Sequence, residues 1–162
     1  MNISLSDRDF QNARAEGAAG SASGVVTTDF LRRPTSWHRD VVDTLCRYLE
    51  LPGGWDGYDG RPLRYETGMF ALRVLNVMLA PSTPSPHVVP VADGGVQLEW
   101  HQNQMDIELF IASPYECELT VHDLSTGRTT VSPITSDFAA LNTALKELVN
   151  YNRHLGPTAN AG

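Results

Sequence analysis

The sequence predicts an α+β protein: a four- to five-stranded antiparallel meander sheet, with two N-terminal helices and one C-terminal helix packed on one face of it. Three observations predict this. Apolar residues recur at helical spacing up to about residue 80 and again from residue 138. Between residues 87 and 133 the apolar period switches to two, the signature of half-buried strands. The links between those alternating segments are short, which suits neighbouring antiparallel strands and leaves no room for crossovers.

The first helix is expected to start near Ser36, where Pro34-Thr35-Ser36 supplies a turn and a capping hydroxyl. Trp37, Val41, Leu45, Tyr48 and Leu49 form its apolar stripe, and Cys46 lies near that stripe as a small buried hydrophobe. Pro52-Gly53-Gly54 ends it. The loop GGWDGYDGRP follows. Its glycines supply positive φ, its aspartates close Asx turns, and Trp55 and Tyr58 are expected to plug the junction between helices and sheet. The spacing of Asp56 and Asp59 does not match a calcium-binding EF-hand loop. A second helix is expected from about Arg64 to Ala80, with Met69, Leu72, Leu75, Met78 and Leu79 inward. Phe70, Val74 and Val77 widen its apolar face, as for a helix covered on more than one side.

Pro81 to Pro86 is a stiff connector. A strand is expected over His87–Val91, with Asp93-Gly94-Gly95 as its turn. Three alternating segments come next, with Val96, Leu98 and Trp100, then Ile107, Leu109 and Ile111, then Cys117, Leu119 and Val121 on the packed face. Ser125-Thr126-Gly127 turns into a last strand over about Arg128–Pro133. Ser136 is expected to cap the third helix, whose stripe is Phe138, Leu141, Leu145, Leu148 and Val149, and Gly156-Pro157 to stop it. Residues 34–156 thus form the folded unit. Residues 1–33, with the stretch AEGAAGSASG and a weak helical pattern over Leu5–Ala15, read as a flexible tail, and residues 157–162 as a short one.

The chain of 162 residues carries a net charge of −7. Residues 1–33 are neutral, with four basic and four acidic side chains, so the whole excess lies in residues 34–162. From Arg73 to Arg128 there is no lysine or arginine between, while Asp93, Glu99, Asp106, Glu108, Glu116, Glu118 and Asp123 fall in that gap. Nucleic-acid binding requires a basic footprint, and none is present. An anionic membrane would repel the chain, and no stretch approaches the roughly 18 apolar residues of a span. No signal pattern opens the sequence, so a cytoplasmic location is expected. A basic protein surface would be attracted.

Two segments, Leu51-Pro52-Gly53-Gly54-Trp55-Asp56-Gly57-Tyr58 and Val88-Val89-Pro90 running on to Gly94-Gly95-Val96-Gln97-Leu98-Glu99-Trp100-His101, are similar to those of a widespread group of small bacterial proteins with no assigned function. The resemblance covers about residues 45–122 and supplies no catalytic residues. It implies a bacterial or phage origin, and a setting in defence, anti-defence or toxin–antitoxin systems.

Pairing Trp100 with Ile107 and Leu109 with Leu119 would place Glu99 opposite Glu108 on the wet face, Asp106 between His101 and His122, and Phe110 beside Glu118. Like charges facing each other are destabilising, so such a face either relies on solvent screening or takes up a cation. The candidate partner-binding residues are therefore Glu99, Asp106, Glu108 and Glu118 for charge, with Phe110, Trp55 and Tyr58 as anchors. The expected function is that of a non-enzymatic inhibitor, resembling an anti-CRISPR or an antitoxin. It would dock on a basic nucleic-acid-handling partner such as a nuclease or a CRISPR effector, with no cofactor and no direct contact to nucleic acid.

Two alternatives stand beside it. One is a metal-dependent hydrolase or small-ligand binder using His101, Asp106 and His122. The other is a homodimer joined through an exposed edge strand. Signatures such as G-x-S-x-G, H-E-x-x-H, the P-loop and the dinucleotide fingerprint are absent from the sequence. A disulfide between Cys46 and Cys117 is open at this level, and alternation separates Cys117 from His122 onto opposite faces.

Overall fold

A computed structural model of the protein describes residues 36–154, with side chains described over 37–151. The expected tails at 1–33 and 157–162, the weak helix at 5–15, the Pro34–Ser36 cap and the Gly156-Pro157 stop lie outside the described residues. Within them the chain runs α1 (Ser36–Leu49), α2 (Tyr65–Met78), β1 (His87–Pro90), β2 (Val96–Gln102), β3 (Met105–Ser113), β4 (Glu116–Asp123), β5 (Arg128–Ile134) and α3 (Ala139–His154). The five strands form one antiparallel sheet in sequence order, β1-β2-β3-β4-β5. Both expected pairs, Trp100 with Ile107 and Leu109 with Leu119, are in register.

One face of the sheet packs against the helices because alternation puts the apolar residues of β2, β3 and β4 on it. Val96, Leu98, Trp100, Ile107, Leu109, Ile111, Cys117 and Leu119 are buried in a core shared with Trp37, Val41 and Leu45 of α1, Phe70, Val74 and Leu75 of α2, and Leu141, Leu145 and Leu148 of α3. The main contacts place α1 over β1, α2 over β2 and β3, and α3 over β3 and β4. Two aromatics at the core find backbone partners for their polar ends, whereas Trp37 Nε1 is buried with none among the described residues. Trp100 Nε1 donates to Pro84 O at 3.0 Å, and Tyr48 Oη donates to Val88 O at 2.9 Å.

The turns follow local chemistry. Asn103 and Gln104 both take positive φ (55° and 59°) in the two-residue β2–β3 turn, and Asn103 Nδ2 reaches across to Leu148 O at 2.8 Å. In the β3–β4 turn Pro114 fixes one dihedral and Tyr115 takes φ 67°, which turns its ring edge-on to Phe70 at 5.0 Å. Asp123 accepts from the hydroxyls of Ser125 (2.6 Å) and Thr126 (2.7 Å) in the β4–β5 turn, and these bonds pull its pKa down to about 2.

Several expectations need correction. Helix α2 is shorter than Arg64–Ala80, and it buries one side only: Met69 and Val77 are exposed, while Leu72 and Leu79 are half-buried. Its wide run of apolar residues exceeds what one sheet face can cover. Cys46 is exposed, one position off the stripe that buries Leu45, and both cysteines are free thiols. Asp137, not Ser136, opens α3, its Oδ1 accepting from the Ala139 amide at 2.9 Å. A carboxylate at that point also complements the positive end of the helix dipole. Strand β1 stops at Pro90, one residue early, and β5 runs one residue further, to buried Ile134.

Candidate functional site

The solvent face of the sheet carries three cross-strand rows. The first is Val89–Gln97–Phe110–Glu118–Pro133, the second His87–Glu99–Glu108–Thr120–Val131, and the third His101–Asp106–His122–Thr129. Glu99, Asp106, Glu108, Phe110 and Glu118 therefore share one face, with Glu99 directly opposite Glu108 and Phe110 directly opposite Glu118.

How the face tolerates four carboxylates is visible in its hydrogen bonds. Gln97 Nε2 donates to both Glu99 Oε1 (3.0 Å) and Glu108 Oε2 (3.2 Å), so one amide spans the facing pair. His101 lies 3.0 Å from Asp106 Oδ1 through Nδ1 and 3.1 Å from Glu99 Oε2 through Nε2. A ring with a carboxylate at each nitrogen satisfies both only as the imidazolium, because only that form has two donors. Hydrogen bonds to Glu99 and then Asp106 accordingly hold the His101 pKa above its ordinary value, against a smaller effect of burial. Burial works to raise Glu99, but hydrogen bonds from His101 and His87 outweigh it and keep this carboxyl below the usual range. His87 Nδ1 sits 3.5 Å from Glu99 Oε2.

Glu99 is thus largely occupied. Its side chain is 17% exposed and its oxygens are shared among Gln97, His101 and His87. Glu118 is exposed, and Glu108 receives only the neutral Gln97 amide. Among the described residues the ion pairs all run from His87 or His101 to Glu99 or Asp106. Glu108 and Glu118, on either side of Phe110, have no cation among the described residues.

Phe110 itself is half-buried. Its ring leans over Gly95, where an added Cβ would lie 3.3 Å from Phe110 Cε2 and 2.9 Å from Ile111 O. Part of this aromatic's surface is therefore spent covering a glycine of the β1–β2 turn.

The metal alternative loses its geometry. His122 Nδ1 turns to Thr129 Oγ1 at 2.7 Å, and among the described residues no group of three His, Cys, Asp or Glu side chains is placed to hold a metal ion. Cys117 is buried, its pKa pushed up to about 12 by burial and by the nearby Glu116, which makes it an unreactive thiol.

Trp55 and Tyr58 stand apart from these rows. Neither plugs the core: Tyr58 is 86% exposed, and Trp55 is half-buried with Nε1 donating to Arg61 O at 2.9 Å. The loop closes on itself instead. Asp56 Oδ1 accepts from the amides of Tyr58 (2.9 Å) and Gly60 (3.0 Å), bonds that lower its pKa. Gly60 is required there because a Cβ would meet the Asp56 carboxylate at 2.7 Å.

The loop is then clasped to the β1–β2 turn. Arg61 N donates to Ala92 O (2.8 Å) and Arg64 N to Gly94 O (3.0 Å), while the Arg64 guanidinium donates to Asp93 O at 2.8 Å and also to Ala112 O. This clasp ties the helix layer to the sheet and hangs the Trp55–Tyr58 loop at the Phe110–Glu118 end. Sequence reasoning missed both Arg64 and Gln97. Gln97 could have been found, since it alternates onto the wet face two residues before Glu99.

No described helix is long and apolar enough to cross a membrane. No protein-family model, curated protein or solved structure matches the chain.

Proposed function

We propose that the protein is a non-enzymatic binding module, of the inhibitor type seen in anti-CRISPR proteins and antitoxins, which docks its acidic sheet face on a basic surface of a nucleic-acid-handling protein. The observation that carries this reading is the pair of carboxylates, Glu108 and Glu118, flanking Phe110 with no cationic partner among the described residues. Glu99 and Asp106, held by His101, Gln97 and His87, fix the geometry beneath them. Arginine or lysine from a partner would complete the Glu108–Glu118 pair, and Phe110 would give an apolar centre inside a charged rim. The absence of lysine and arginine between Arg73 and Arg128 keeps the local potential negative and steers such a partner inward. Inhibition would be competition for the surface that otherwise takes nucleic acid.

The test is capture from a bacterial lysate at low salt, with the wild-type chain and with the combined variant Glu99→Gln, Glu108→Gln and Glu118→Gln. The captured protein is then purified and titrated against salt and duplex DNA. The expected result is a basic nucleic-acid-binding protein, released by salt, displaced by DNA and lost with the variant. A variant that binds the same partner with unchanged affinity and salt dependence overturns the reading.

A further inference from the structure

On the opposite side of the sheet from the acidic face, α3 does not reach over β5. The uncovered strip between α3 and the β4–β5 hairpin is a groove of about 520 Å³. That size falls within the roughly 300–1,000 Å³ of small-molecule sites. Its floor is apolar, from Met105 and Val121, and Tyr151 adds an aromatic wall. Arg128, from the start of β5, and Lys146, from the middle of α3, both line it. They are the only lysine or arginine side chains described beyond Arg73, and Lys146 is the single lysine of the chain. In a molecule of net charge −7 they converge on one concavity, 18 positions apart in sequence.

Neither cation is spent. Among the described residues no ion pair or hydrogen bond ties up the Arg128 guanidinium or the Lys146 ammonium. Two acidic residues also line the groove. Asp123 is turned into its own hairpin, accepting from Ser125 and Thr126. Glu147 stays exposed and adds one negative charge, which disfavours a doubly charged ligand.

We infer that this groove binds a small organic carboxylate: one carboxylate head held between Arg128 and Lys146, with an apolar body lying on Met105 and Val121. A guanidinium presents parallel donors that match the two oxygens of a carboxylate, and the lysine ammonium supplies a second charge from the facing wall. The groove and the docking face lie on opposite sides of the sheet, so this site stands or falls independently of the proposed function.

The test is a titration of the full ¹⁵N-labelled chain with sodium benzoate at constant ionic strength, followed by amide shifts. Benzyl alcohol serves as the neutral isostere and phenyl phosphate as the more highly charged one. The expected result is saturable shifts clustered at residues 105, 121, 128, 146 and 151, with weaker binding of phenyl phosphate and none of benzyl alcohol. Arg128→Gln and Lys146→Gln, both at exposed positions, should each weaken benzoate by about ten-fold, the value of one charge-assisted hydrogen bond. Shifts that are scattered and do not saturate, equal binding of benzyl alcohol, or unchanged affinity in the double variant with a native spectrum would each overturn the inference.

Discussion

Replacing Arg64 by methionine should unclasp the helix layer from the sheet while keeping the aliphatic stem. The side chain donates to two backbone carbonyls, Asp93 O at 2.8 Å and Ala112 O. The Ala112 bond is partly buried, so its acceptor is left poorly hydrated when the guanidinium goes, and a charge-assisted bond of this kind contributes about 1.5–3 kcal/mol. The Asp93 bond is exposed and water replaces it, leaving about 0.5–1 kcal/mol. The sum is a loss of about 2–4 kcal/mol. Equilibrium urea unfolding reads it directly: at a slope of about 1.5 kcal/mol/M, the midpoint falls by about 1.3–2.7 M with the slope unchanged. Arg61→Met is the control, because Arg61 uses only its backbone in the clasp and its side chain is exposed; its change should stay within about 0.5 kcal/mol. If the two variants unfold at the same urea concentration, the guanidinium bonds do not hold the clasp and the argument fails.

Three further outcomes are expected. His101 has its pKa raised above 6.5, so its contribution to stability is fully present below that pH and is lost as pH rises through the folded-state value. Glu99, lowered from 4.5, contributes above that pH and loses its contribution as pH falls through its own folded-state value. The stability gap between wild type and His101→Gln, measured by urea unfolding across pH 5 to 9, should therefore be widest on the acid side of about 6.5 and close towards alkaline pH; a flat gap would rule out the imidazolium bridge. Gly94→Ala should cost about 1–3 kcal/mol, since Gly94 has φ +86° and an added Cβ would lie 3.0 Å from Pro62 O, whereas Gly127→Ala, at φ +70° with open space around it, should cost less; thermal melts of the two compare them. A thiol reagent should label Cys46 quickly in the native protein and Cys117 only on unfolding, read by mass spectrometry of the labelled peptides.

The sheet was readable from sequence because one face is packed and the other is wet. With a side-chain period of two, a one-residue slip in the Trp100–Ile107 or Leu109–Leu119 pairing would turn the buried set outward. The helices were less legible. Apolar residues surround much of α2, so periodicity could not tell covered Phe70 and Val74 from exposed Met69 and Val77; that depends on where the sheet ends. Cys46 shows the same limit, since one residue of helix is a 100° turn. On the candidate site, the carboxylates and their face followed from alternation. Their state did not, because it depends on rotamers: His101 swings between Glu99 and Asp106, while His122, equivalent by pattern, chooses Thr129. Arg64 was invisible for another reason. Its acceptors are main-chain carbonyls 29 and 48 residues away, and any residue type carries a carbonyl.

The strand order has a bearing on how the chain is made. Because every strand pairs with the one before it, each hairpin can close as soon as it leaves the ribosome, with little entropy lost to loop closure. The cover over β3 and β4 does not arrive on the same schedule. Leu141, Leu145 and Leu148 come after the whole sheet in the chain. At about 5–20 residues per second, translating the 20 residues from Ile134 to His154 takes about 1–4 s, and until α3 is in place β4 and the part of β3 that α2 does not cover lack their lid. A released chain truncated just after Ile134 carries the whole sheet without α3, and should therefore be the form of this protein that chaperones hold and that aggregates.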